Sequence, residues 1–119
     1  MNAGETETFG MTLLLRDDPA LIEAYRMHHR AVWPVVRDRI REVGIRRMEI
    51  FLVGRRLFMW FEAPSGFVPS RDFASLMDDP RYVEWDTLMR TMQERAPEAS
   101  QAEWWAPMEK VFDLAWPSG

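Results

Sequence analysis

Two adjacent histidines, His28 and His29, are the side chains of this 119-residue chain best suited to move protons at neutral pH, because imidazole alone has an unperturbed pKa near about 6.5. His29 is the stronger candidate catalyst. Tyr25, His29 and Trp33 follow one another at four-residue intervals. On a helix each such step turns only about 40°, so a hydroxyl, an imidazole and an indole fall on one stripe. His28 lies about 100° round the helix, toward solvent or the helix edge. A histidine tied to a carbonyl among core aromatics would show the same spacing, so the ladder alone leaves a structural and a chemical role both open.

Other polar side chains offer partners for such a histidine. Asp86 follows Trp85, and a carboxylate beside an aromatic plate suits the hydroxyls and the apolar face of a sugar. Asp86 and Arg90, four residues apart, would equally form a surface ion pair. Glu62 ends an apolar run, where it accepts hydrogen bonds either in a pocket or at a strand edge. The Trp104-Trp105 pair fits a stacking lid or a plug in a subunit contact, and the Arg46-Arg47 and Arg55-Arg56 pairs read as solvated strand edges. We expect no metal: adjacent histidines on a helix point apart, no H-E-x-x-H or paired-carboxylate motif is present, and there is no cysteine. We expect no nucleotide cofactor either, since neither G-x-G-x-x-G nor a phosphate-binding loop occurs, and G-x-S-x-G is missing too.

Short-range signals mark the elements that must position these groups. Thr8–Arg16 is an apolar strand that runs into Asp17-Asp18-Pro19, which supplies a cap oxygen, negative charge and a first-turn proline. Ile22, Tyr25, His29, Val32, Trp33, Val36, Ile40 and Val43 recur at three- and four-residue intervals. They predict an amphipathic helix ending at Gly44 and broken near Trp33, because Pro34 removes an internal hydrogen bond. Ile45–Val53 and Arg56–Ala63 predict a hairpin turning at Gly54-Arg55. A loop with Pro64, Gly66 and Pro69 leads to a short helix marked by Phe73, Leu76 and Met77. Asp79-Pro80 opens another, with Val83, Trp85, Leu88, Met89 and Met92 inward and Pro97 as its limit. Met108–Leu114 alternates as a final strand. The order β-α-β-β-α-β predicts a ferredoxin-like α+β sandwich of the dimeric α/β-barrel type. Its helices cover one sheet face, and the Phe, Met and Trp residues of the hairpin require a second copy, in a homodimer, over the other.

Composition narrows the function classes. No linker or repeat divides the chain, so residues 1–119 read as one domain, with residues 1–7 flexible. At 47% hydrophobic residues, with six Trp and seven Phe, a core can form, although a domain this small buries only about two thirds of its unfolded surface. A formal net charge of -4 argues against nucleic acid, which demands a basic face. The first ten residues are polar and acidic, unlike a signal peptide, and no apolar run approaches the roughly 20 residues of a membrane span. The absence of cysteine fits a reducing compartment. These features predict a cytoplasmic protein without membrane contact.

The stretch Tyr25-Arg26-Met27-His28-His29-Arg30-Ala31-Val32-Trp33-Pro34 resembles the Y-x-x-x-H-x-x-x-W-P segment of the L-rhamnose mutarotase family. The likeness continues through Gly44, the hairpin, the Leu57–Glu62 strand, the Trp-bearing second helix and the closing Glu109–Leu114 run. It implies a ferredoxin-like dimer and a cofactor-free isomerase that interconverts the α and β pyranose anomers of a monosaccharide. It further implies that His29 is the proton donor and Tyr25 a substrate-binding residue. Met48 stands where the family has another tyrosine, four residues after the helix-ending glycine, and Asp86 replaces the second indole of a Trp-Trp pair that begins at Trp85. These departures touch sugar recognition and spare His29, so the resemblance points to a 6-deoxyhexose with L-fucose favoured over L-rhamnose. The expected substrate-binding residues are Tyr25, Trp33, Met48, Glu62, Trp85 and Asp86. In the implied mechanism His29 protonates the ring oxygen while Asp86, Tyr25 or a water handles the anomeric proton. Two other classes share these features at the level of fold: a cofactorless monooxygenase with a Trp- and Met-lined pocket, and a non-enzymatic module for ligand sensing or oligomerisation.

Overall fold

The computed structural model describes residues 4–117. Strand β1 (Thr6–Leu15) is the centre of an antiparallel sheet. On one side it pairs with β3 (Arg56–Pro64), from Thr6 opposite Pro64 to Leu14 opposite Arg56. Strand β2 (Arg47–Val53) follows as the edge, joined to β3 through Gly54, whose φ of +60° suits a residue without a side chain. The other side of β1 is shared: β4 (Gln93–Glu94) takes Leu14 and Leu15, and β5 (Ala106–Met108) takes Gly10 to Thr12. Four α-helices among the described residues complete the fold: α1 (Pro19–Arg30), α2 (Pro34–Glu42), α3 (Pro69–Asp72) and α4 (Pro80–Arg90), with a 3₁₀ turn over Ala74–Asp78. The chain is thus a small α+β domain with a curled antiparallel sheet, in agreement with the ferredoxin-like expectation.

Alternation along the strands decides which face is packed. Leu13, Leu15 and Leu57 meet Tyr25, Val36, Trp85 and Met89 from the helices in one buried cluster. Met11, Ile45, Phe61, Ala63 and Phe67 form a second, joined by Phe9 and Phe73. Helix entry follows the expected chemistry: Asp18 Oδ1 accepts from the Ala20 N–H and Asp79 Oδ1 from the Arg81 N–H, both at 2.9 Å, and each such cap is worth about 1 kcal/mol. The predicted break is present, since α1 stops at Arg30 and Pro34 opens a separate helix. Gly44 stops α2 at φ +102°, where a Cβ would lie 2.7 Å from Pro64 Cγ, so both conformation and space demand glycine.

Two expectations are corrected. Thr6 and Glu7 are not loose but open β1, opposite Pro64 and Ala63; the part of that expectation falling on residues 1–3 lies outside the described residues. The last strand covers Ala106–Met108, not Met108–Leu114. Met108 lies opposite Gly10; continuing that register would set Glu109 opposite Phe9 and turn its carboxylate onto the packed face, amid the Phe9-Phe61-Phe67 cluster. The chain leaves the sheet instead and passes beside Thr8, Phe58 and Trp60 on the other face.

Candidate active site

Between the packed sheet face and the helices lies a cavity of about 870 Å³, near the upper end of the roughly 300–1,000 Å³ usual for small-molecule sites. Helix α1 sends Tyr25 and His29 into its wall, α4 sends Trp85, Asp86, Met89 and Arg90, and the sheet contributes Met11, Met48, Ile50 and Met59. Of the expected ladder the first step holds, the Tyr25 and His29 rings stacking at 4.0 Å between centroids, whereas Trp33 lies beyond the end of α1 at Arg30. Trp85 from α4 closes on His29 edge-first at 5.7 Å.

His29 is tied to a carbonyl, as a purely structural histidine would be, but by one nitrogen only. Its Nδ1 lies 2.9 Å from Tyr25 O. A carbonyl can only accept, so Nδ1 carries the hydrogen and Nε2 is the nitrogen left to exchange a proton. Burial among aromatic rings pulls the His29 pKa below its ordinary 6.5, opposed by the Tyr25 carbonyl and assisted by the neighbouring His28. Burial raises the Asp86 carboxyl above its usual 3.8, with Arg90 pulling the other way. The two groups are therefore brought closer in proton affinity than a free imidazole and carboxylate. Tyr25 is pushed well above the usual phenol value by burial, against a hydrogen bond from the Gln93 side chain, so it remains a neutral donor.

Of the residues singled out from the sequence, Tyr25, His29, Met48, Trp85 and Asp86 share this cavity, and the Trp104-Trp105 pair borders it too. Trp33 stands behind it, its ring edge-on to Trp85 at 5.2 Å and capped by the Arg81 guanidinium at 5.3 Å. Glu62 does not join them. It accepts from the Thr6 hydroxyl at 2.7 Å on the opposite sheet face, because Phe61 and Ala63 on either side of it point inward. His28 is half-buried at the helix edge, 6.3 Å from Trp85. Arg90, expected only as a surface partner of Asp86, also lines the cavity, and sequence reasoning missed Tyr82 and Gln93 there. Tyr82 had a signal, four residues before Asp86 on one helix; burial and the Asp86 charge push its hydroxyl up to about 12. Gln93 had none, since its place follows from a two-residue strand paired to Leu15. Among the described residues, no three His, Asp or Glu side chains converge in a way that would hold a metal ion.

Fold and cavity together define a small α+β domain that carries a ligand-sized site on the packed face of its sheet. Residues 8–114 match the family model described as L-rhamnose mutarotase. The chain belongs to this family, and with it to the mutarotases, isomerases that interconvert sugar anomers. An L-fucose mutarotase of Xanthomonas campestris is 35% identical over 103 residues, covering 85% of this chain and 82% of its own. A UPF0734 protein of Dictyostelium discoideum is 39% identical over 120 residues, covering 98% of this chain and 96% of its own. Among solved structures, the L-rhamnose mutarotase of Formosa agariphila matches with a TM-score of 0.69 at 19% identity, over 91% of this chain and 98% of that one. The tetracenomycin F2 cyclase of Streptomyces glaucescens matches at 0.58 and 17%, over 93% and 99%. At these identities both structures speak for the fold alone.

Proposed function

We propose that the chain interconverts the α and β pyranose anomers of a 6-deoxyhexose, with L-fucose favoured over L-rhamnose and His29 as the acid/base. The observation that carries this reading is the placement of His29: one ring nitrogen is fixed by Tyr25 O, and the ring sits in the cavity wall with Tyr25, Trp85 and Asp86. Mutarotation needs the ring oxygen to gain a proton while the anomeric hydroxyl loses one. With one proton shared between the two groups, protonated His29 gives it to the ring oxygen and the Asp86 carboxylate takes the anomeric proton. The open aldehyde then turns about its C1–C2 bond. Asp86 returns its proton to the carbonyl oxygen, His29 recovers the other from the C5 hydroxyl, and the ring closes on its second face. Tyr25, held neutral, donates a hydrogen bond and moves no proton. Family membership supports this activity over the oxygenase and the sensing module.

Preference for L-fucose is supported by the relative of that name and by Met48 and Asp86, which give the cavity a thioether and a carboxylate. The reading includes a cytoplasmic homodimer: Phe51 and Phe58 stack at 6.0 Å on the unpacked sheet face, and Phe112 and Leu114 remain exposed beside it. Phe51→Glu should then halve the mass seen by sedimentation, and a wild-type monomer at all concentrations would remove the dimer. The decisive test of activity is NMR saturation transfer between the anomers of L-fucose and of L-rhamnose, with the wild type and His29→Ala. Acceleration by the wild type that is lost in the variant is the expected result; no acceleration of either sugar would end the proposal.

A further inference from the structure

The segment after β4 is held against the cavity by a chain of contacts that starts in the active site. Asp86 Oδ2 pairs with Arg90 Nε at 3.0 Å, and the Arg90 guanidinium lies over the Trp104 ring at 5.1 Å from its centroid. Trp104 borders the same cavity as His29 and Asp86. Its backbone is fixed as well. Trp104 O accepts from the Ala96 N–H at 3.0 Å, Arg95 Nε donates to Glu103 O at 2.8 Å and Arg95 also bonds Ser100 O. The Ser100 hydroxyl in turn donates to Glu103 Oε1 at 2.7 Å. An indole so restrained loses little freedom when a ligand stacks on it.

We propose that Trp104 is the plate on which the sugar stacks, that Arg90 is the positioning residue holding that plate against the cavity, and that the plate selects galacto-configured pyranoses. The inference rests on the mutarotase reading above and names what that site prefers. In a galacto-configured ring, as in L-fucose, the hydrogens of C3, C4 and C5 share one face, while the cis hydroxyls at C3 and C4 share an edge. That face fits an indole. In L-rhamnose the C4 hydrogen turns to the opposite face, so the apolar patch is broken. Trp104 thereby supplies an indole where the residue after Trp85 is a carboxylate.

The test is anomer exchange measured against concentration for L-fucose and L-rhamnose with the wild type, Trp104→Ala, Trp104→Phe and Arg90→Met. Trp104→Ala should raise KM for L-fucose about tenfold with kcat changed much less, and raise that for L-rhamnose by only about twofold. Trp104→Phe should recover most of the loss, and Arg90→Met should raise the L-fucose KM by an intermediate factor. An unchanged ratio of kcat/KM for the two sugars in Trp104→Ala, or a phenylalanine variant no better than alanine, would overturn the assignment of Trp104 while leaving the mutarotase reading in place. A wild type that accelerates neither sugar would instead remove that reading and this inference with it.

Discussion

The two faces of one sheet are built from similar residues and put to different use. On the packed face Leu57, Phe61 and Leu13 are at most 1% exposed, and the helices above them enclose the cavity. On the other face Phe58 is 36% exposed and Phe51 54%, with no helix over them. Gly10 sharpens the contrast: a Cβ there would lie 2.9 Å from Phe58 Cε1, so the missing side chain lets the ring lie across β1 in the open. An apolar residue on this sheet therefore reports a core only when an element covers it. The difference teaches that one layer of backbone can enclose a cavity on one side and leave apolar rings open to solvent on the other.

The comparison breaks most sharply at His29. Its replacement by alanine should lower anomer exchange by about 10²- to 10⁴-fold, roughly 3 to 5 kcal/mol of barrier, with thermal melting little changed. A variant that instead unfolds would make His29 a packing residue, and the two faces would then differ only in cover. Next in size is the core itself. Phe61→Ala on the packed face should cost about 3–5 kcal/mol in denaturant titration, whereas Phe58→Ala on the open face of the same strand should cost about 1 kcal/mol or less. Equal losses would mean that the open face is as tightly packed as the closed one.

Smaller effects should appear with pH, and only on the cavity side. Because the active pair holds one proton, kcat/KM should fall as pH rises through the His29 value, which lies below 6.5. It should fall again at acid pH as Asp86, above 3.8, becomes protonated. A profile that rises and levels off above 6.5 would make neutral His29 the opening base instead. Stability moves with the same group: a depressed folded-state pKa stabilises the protein above pH 6.5, and this contribution is lost as pH falls from there through the folded value. The self-association proposed for Phe51 and Phe58 should not follow that curve.

Much of the fold was legible because its signals act within a few residues. Asp18-Pro19 and Asp79-Pro80 cap helices wherever the helices go, Pro34 breaks the long periodic stretch, and Gly44 and Gly54 turn the chain at positive φ. The four-residue ladder also put Tyr25 and His29 side by side before any packing was known. Glu62 was not legible. The run Leu57-Phe58-Met59-Trp60-Phe61 is apolar at every position, so period-two alternation gives no parity, and a shift of one residue moves a side chain across the sheet. Met108–Leu114 failed for a related reason, since alternation predicts a strand without saying whether a partner edge accepts its charged face.

By itself the sequence determined the local geometry of helix starts, breaks and turns and the family, and it nominated His29 for proton transfer, because each depends on spacing along the chain. Only the tertiary structure decided that Gln93 sits against Tyr25, that Arg90 lies over the Trp104 ring, and that Glu62 lies across the sheet from the cavity. Those relations join residues far apart in the chain, as Thr6 and Glu62 or Tyr25 and Gln93 are. Such contacts leave no periodic trace, because they arise from how the elements close on one another.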